Sequence, residues 1–205
     1  MKHTFAAVMV VALLSSAVIA AAEAVAFGAV DWLKLPDGRD KIGDMHGDVA
    51  VSANGDVYVS VQDPAAGLQV YAPDGRFLRN VPDAPSDFHG FVIRRQPEGE
   101  FIFGARLRGQ SIVKMTLDGK VVMTIPASAI PDEFKVKNAR SGQLALLLTG
   151  MDVAPNGDLY VTDGYASDYI HRFDKNGTYL GSWGSSVFAD PHTTLLPQAL
   201  AFGLM

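Results

Sequence analysis

Three stretches of this chain superpose with their turn glycines in register, and no other feature restricts the possible fold as strongly. Asn54-Gly55-Asp56, Glu98-Gly99-Glu100 and Asn156-Gly157-Asp158 each lie between short apolar runs. Twenty residues after each of these glycines comes a second one, in Asp74-Gly75, Asp118-Gly119 and Asn176-Gly177, so the units superpose at offsets of 44 and 58 without an internal gap. In the first unit Val49 to Ser52, Val57 to Val61, Leu68 to Tyr71 and Phe77 to Val81 are short, β-branched or aromatic, and separated by turn residues. The second unit runs from Phe91 to Ile125 and the third from Met151 to Trp183. Asn-Gly and Asp-Gly favour the positive φ of tight hairpins. Four antiparallel strands in each repeat of about 40 to 50 residues predict β-propeller blades, and no 3.6-residue apolar period supports a helical solenoid. The expected fold is therefore all-β, with three four-stranded blades between residues 44 and 184.

The ends read differently. Met1-Lys2-His3 is followed by an apolar run from Thr4 to Ala22, with small residues where a signal peptidase would cut, so residues 1–24 read as an export signal. A membrane anchor is the alternative, because about 18 apolar residues can just span a bilayer; after cleavage no stable span is expected. The expected location is secreted or periplasmic. No cysteine is present, which excludes disulfides, thiol catalysis and thiolate metal sites. A net charge of −5 lacks the basic footprint of a nucleic-acid binder. Residues 25–43 form an N-terminal segment, and 185–205 an irregular tail without a fourth copy of the turn pattern. Three blades cannot close a ring, since propellers need about four to eight. The expected reading is the N-terminal half of a longer propeller; self-association through the open blade edge to complete a ring, and a genuinely open half-propeller, are the alternatives.

Between the second and third blades, residues 126–150 exceed the first inter-blade connection by about 14 residues. Two prolines and a charged run, Asp132 to Arg140, predict an exposed insertion without strands, suited to act as a lid. Blade topology places this insertion, His46 and His89 on the same face as the loops Gln62–Gly67, Arg106–Gln110 and Asp163–Asp168. The repeated glycine turns occupy the other face.

On that site face His89, in Asp87-Phe88-His89-Gly90, sits where an innermost strand begins and could ligate a metal; His46 repeats the His-Gly step one blade earlier. The alternative for each is a structural role, holding a strand end by hydrogen bonding, and His46 is read more as such a strand-end residue than as a ligand. Tyr165 could act as a base if a neighbouring cation lowered its pKa from about 10. Arg106 and Arg108 could grip a carboxylate in two-pronged fashion, or be solvated surface residues. Asp163 and Asp168 are too sparse for a dedicated calcium loop, and Asp48 and Asp152 read as polar rim residues. The sequence contains no Gly-rich phosphate loop, Gly-x-Ser-x-Gly elbow or His-Glu-x-x-His helix.

Asp48-Val49-Ala50-Val51 ahead of Asn54-Gly55-Asp56-Val57-Tyr58-Val59, and Met151-Asp152-Val153-Ala154 ahead of Asn156-Gly157-Asp158-Leu159-Tyr160-Val161, resemble the NHL class of six-bladed propellers. Within that class, Phe88-His89-Gly90-Phe91-Val92-Ile93, and Thr162-Asp163-Gly164-Tyr165 with Ile170-His171-Arg172-Phe173, are similar to the peptidyl-α-hydroxyglycine α-amidating lyases. Those enzymes cleave a hydroxylated C-terminal glycine to a peptide amide and glyoxylate. The resemblance implies His89 as a zinc ligand and Tyr165 as the catalytic tyrosine, and Arg106 joins them as the candidate carboxylate-binding residue. The family's other two zinc histidines lie in later blades, and His192 comes too early to match the second. Zinc is the implied cofactor and calcium, as in lactonase-like propellers, the weaker alternative, each for the full-length protein. The expected partner is a peptide or small molecule at the channel mouth. The competing reading is a non-catalytic propeller of the cell envelope that binds a peptide or glycan.

Overall fold

The computed structural model describes residues 28, 30–35, 39, 41–44, 46–138 and 141–184. The segment read as an export signal, 1–24, and the tail from 185 onward, with His192, lie outside the described residues.

The first sheet is built from β1 (Val49–Val51), β2 (Val57–Ser60), β3 (Leu68–Tyr71) and β4 (Phe77–Asn80). The second contains β5 (Phe88–Gln96), β6 (Gly99–Arg106), β7 (Ser111–Thr116) and β8 (Val121–Pro126). A short hairpin, β9 (Val136–Lys137) with β10 (Leu144–Ala145), precedes the third sheet. That sheet is β11 (Gly150–Val153), β12 (Leu159–Thr162), β13 (Tyr169–Phe173) and β14 (Tyr179–Gly184). Each four-stranded sheet is an antiparallel meander in sequence order, and apart from two single 3₁₀ turns no helix occurs among the described residues. The chain forms three blades of a β-propeller.

The repeat extends to the backbone. Between the third and fourth strands each blade shifts register once, at Val70/Tyr71, Lys114/Met115 and Arg172/Phe173. These bulges are again separated by 44 and 58 residues, so the shift belongs to the unit and matches the glycine turns that set it. All six turn glycines have positive φ, from 81° at Gly75 to 136° at Gly99.

Blades stack face to face because residues alternate along their strands. In β6, Ile102 packs toward the first blade with Tyr58, Leu68 and Val70, whereas its neighbour Phe103 packs toward the third with Leu159, Val161 and Phe173. The innermost strands β1, β5 and β11 lie in succession, and their start end forms a mouth. Two polar contacts tie the seams at the opposite end. The Glu100 carboxylate accepts from the Ala53 N–H at 2.9 Å, and Arg94 pairs with Asp152. At the outer edge of the first blade, Lys34 bridges Arg76 in parallel and the Trp32 indole donates to the Pro73 carbonyl at 2.8 Å, which covers part of that edge.

The 126–150 insertion differs from its sequence reading in two respects. It contains the β9–β10 hairpin where no strand is expected, and it is pinned to the blades by Ile130, Leu146 and Leu148, all buried in the core between the second and third blades. Apolar positions outside any periodic pattern give no signal in the sequence that they are anchors.

Candidate active site

Each blade sends one candidate side chain to the same point on the mouth. His46 precedes β1, His89 lies at the start of β5, and Tyr165 sits in the loop between β12 and β13. The Tyr165 hydroxyl is 3.0 Å from His89 Nε2 and 3.3 Å from His46 Nε2, across 76 and 119 residues of sequence. The His46 and His89 rings meet edge to face at 4.8 Å between centroids, and His89 and Tyr165 are nearly perpendicular at 87°.

The protons of this cluster follow from its hydrogen bonds. His89 Nδ1 lies 2.7 Å from the Thr149 carbonyl oxygen, which can only accept, so Nδ1 carries the hydrogen. Burial, reinforced by the nearby His46, holds the His89 pKa below its ordinary value against the opposing pull of the Thr149 carbonyl and Asp48, so the ring is neutral. Its bare Nε2 then accepts from the Tyr165 O–H, and the phenol oxygen accepts from His46 Nε2–H. Donation runs from His46 to Tyr165 to His89 to Thr149.

Thr149 also holds the tyrosine loop, since its Oγ1 accepts from the Gly164 N–H at 3.1 Å. Asp163, fully buried, closes the loop from within: one carboxylate oxygen accepts from the Leu147 N–H at 3.0 Å and the other from the Ser167 hydroxyl at 2.8 Å. Burial pushes its pKa up, with those hydrogen bonds opposing. Asp168 ends the loop at φ 58°, a conformation that aspartate tolerates better than most residues. Tyr165 itself remains 43% exposed, available to a ligand.

The glycine after each histidine serves the seam. A Cβ on Gly90 would lie 2.6 Å from the Thr149 carbonyl oxygen, and one on Gly47 would meet Ser60 Oγ and lie 2.8 Å from the Phe88 carbonyl oxygen. The His-Gly step thus allows the next innermost strand to approach while the imidazole reaches the mouth.

Arg106 and Arg108 occupy the expected loop on this face. Arg106 Nε donates to the buried Asp87 carboxylate at 2.7 Å, whose other oxygen accepts from the Gly109 N–H at 2.6 Å. Arg106 closes its own loop and makes no hydrogen bond to His89 or Tyr165. Arg108 lies nearer the cluster: it donates to Gln62 at 3.4 Å, and Gln62 donates to the His46 carbonyl at 3.4 Å. Beside Gln62 is a polar bay of about 420 Å³, lined also by Arg39, Lys41, Asp44 and Asp63. Asp48 caps the Val49 N–H at 2.8 Å, while Asp152 is taken up by Arg94. Among the described residues no group of three or more His, Cys, Asp or Glu side chains could hold a metal ion. The role of Thr149 is not visible in the sequence, because a carbonyl acceptor carries no side-chain signature.

No family model matches the chain, and no curated protein matches it. Among solved structures it is similar to propeller-like proteins. One is a protein of unknown function from Bacteroides caccae, at 16% identity over 68% of this chain and 49% of that one, with a TM-score of 0.49. Another is a catalytically inactive virginiamycin B lyase from Staphylococcus aureus with quinupristin, at 18% identity over 74% and 45%, with a TM-score of 0.48. Hydrazine synthase of Kuenenia stuttgartiensis is matched at 14% identity over 75% and 40%, with a TM-score of 0.49. The chain spans less than half the length of each of these structures, and its assignment as propeller blades rests on its own strand pairing.

Proposed function

We propose that these blades carry part of the mouth of a metal-dependent lyase of the peptidyl-hydroxyglycine type, exported to a periplasm or the cell exterior. One observation carries the reading. His89 and Tyr165, the two residues that the sequence resemblance pairs as metal ligand and catalytic tyrosine, come from different blades and lie 3.0 Å apart.

The donor set fits a borderline metal such as zinc in type but not in number. His89 Nε2 and His46 Nε2 are imidazole nitrogens of the kind zinc prefers, and a catalytic site usually takes three protein ligands. A zinc ion bound there would act as a Lewis acid on the substrate oxygen. Tyr165, with its phenol oxygen 3.0 Å from His89 Nε2, is the side chain that would take the proton of the substrate hydroxyl as a general base. The carbon–nitrogen bond then breaks, its electron pair stays on nitrogen, which takes up a proton to become the amide, and the former hydroxyl oxygen becomes the carbonyl of glyoxylate. Arg108, next to Gln62, would provide the cation for the substrate carboxylate on the same face, while the Arg106 guanidinium is taken up by Asp87.

The test is turnover of a hydroxyglycine-terminated peptide by the protein, beside Tyr165→Phe and His89→Ala. A general base is worth about 10² to 10⁴ in rate, so Tyr165→Phe should lose activity on that order, and His89→Ala should lose activity together with metal binding, while both melting temperatures stay close to the parent. An inactive parent that instead binds an envelope peptide or glycan would transfer the site to the binding reading, which the polar bay beside Gln62 would then serve.

A further inference from the structure

On the face opposite the mouth, a groove of about 940 Å³ runs between the second and third blades. Its walls are the β5–β6 turn on one side and the β11–β12 and β13–β14 turns on the other, and its charge contrasts with the rest of the chain. Four cations line it, Arg94, Arg95, Lys114 and Lys175, against two carboxylates, Glu98 and Asp152. Four minus two leaves +2 in the groove of a chain whose net charge is −5.

The charges are not equally available. Arg94 and Asp152 satisfy each other through two parallel bonds of 2.8 and 3.0 Å, which leaves Arg95, Lys114 and Lys175 against Glu98 alone. Lys114 is held in place: its ammonium lies 4.2 Å from the centre of the Phe101 ring and donates to Gln96 Oε1 at 2.5 Å. A cation fixed by a ring face and one acceptor retains N–H bonds for a ligand and loses little side-chain entropy on binding. Lys175 projects from the opposite wall, with its Cβ 3.1 Å from the position a Cβ on Gly157 would occupy. Cations therefore stand on both walls of a concave site, and a multivalent anion can bridge them where two monovalent ions would be screened separately.

We propose that this groove binds a small multivalent oxyanion carrying phosphate or carboxylate groups. The site is independent of the His89–Tyr165 cluster, which lies at the other end of the strands. Calorimetric titration of the whole protein with inorganic pyrophosphate, and separately with citrate, tests it. Saturable binding should weaken about tenfold or more as salt rises from about 50 to about 300 mM. It should fall about tenfold or more in Arg95→Gln/Lys175→Gln, whose exposed substitutions leave the melting temperature unchanged, and should persist in Tyr165→Phe. Binding of pyrophosphate alone assigns phosphate chemistry, and of citrate alone carboxylate chemistry. Absence of saturable binding by either anion, binding indifferent to the double variant, or binding lost in Tyr165→Phe would overturn the proposal.

Discussion

Arg94 and Asp152 meet across the seam between the second and third blades in a two-pronged ion pair, although 58 residues separate them. Asp152 is almost wholly buried, whereas Arg94 reaches solvent, so loss of the carboxylate leaves a guanidinium that water can still solvate. Asp152→Ala should therefore cost about 1–3 kcal/mol, below the full penalty for stranding a buried charge. Urea unfolding of parent and variant measures this. A change of less than about 0.5 kcal/mol would show that apolar stacking alone holds the seam.

Gly90→Ala tests whether the seam also sets the site. The added methyl would press on the Thr149 carbonyl and on Gly150 Cα, where there is backbone and no side chain to swing away. Overpacking of this kind costs about 1–3 kcal/mol. The variant should also lengthen the His89 Nδ1 bond to Thr149, seen by nuclear magnetic resonance as an upfield shift of the Nδ1 proton. A destabilised variant with an unchanged proton shift would separate the seam from the histidine.

His171 should make stability depend on pH. Burial lowers its pKa from 6.5 to about 4; Nδ1 meets the Ser182 hydroxyl at 2.7 Å, and the buried Nε2 has no hydrogen-bond partner. Phe134 and Tyr169 face the ring. Between those pKa values the unfolded chain binds a proton that the fold refuses, so the contribution is complete above pH 6.5 and is lost as pH falls toward 4. A shift of this size amounts to about 3 kcal/mol. Asp163, whose pKa is raised by burial, acts in the opposite sense as the pH falls. Chemical unfolding from pH 7 to pH 4 should show a shallower slope in His171→Leu than in the parent; equal slopes would refute the assignment.

Zinc should bind this chain weakly. His46 and His89 provide two imidazoles at one point, and no cysteine is available to complete a closed set. Calorimetry on the tag-free chain should give a dissociation constant above about 1 μM, weakened further in His89→Ala. A submicromolar site abolished by that substitution would reveal a third ligand.

By itself the sequence determined the blades, because a hairpin is a local object. Asn-Gly and Asp-Gly set the backbone at Gly55, Gly75, Gly157 and Gly177, and alternating apolar residues such as Ile102 and Phe103 already assign the two faces of a strand. Strand polarity then placed His46, His89 and Tyr165 at one end of the sheets. That the three converge on one hydroxyl, that Thr149 holds both His89 and the Tyr165 loop, and that Asp152 belongs to Arg94 were decided only by the tertiary structure. These contacts depend on the angle and spacing between neighbouring sheets. Both are set by interdigitating core side chains and by the close approach at Gly47 and Gly90, long-range terms that no local run of residues encodes.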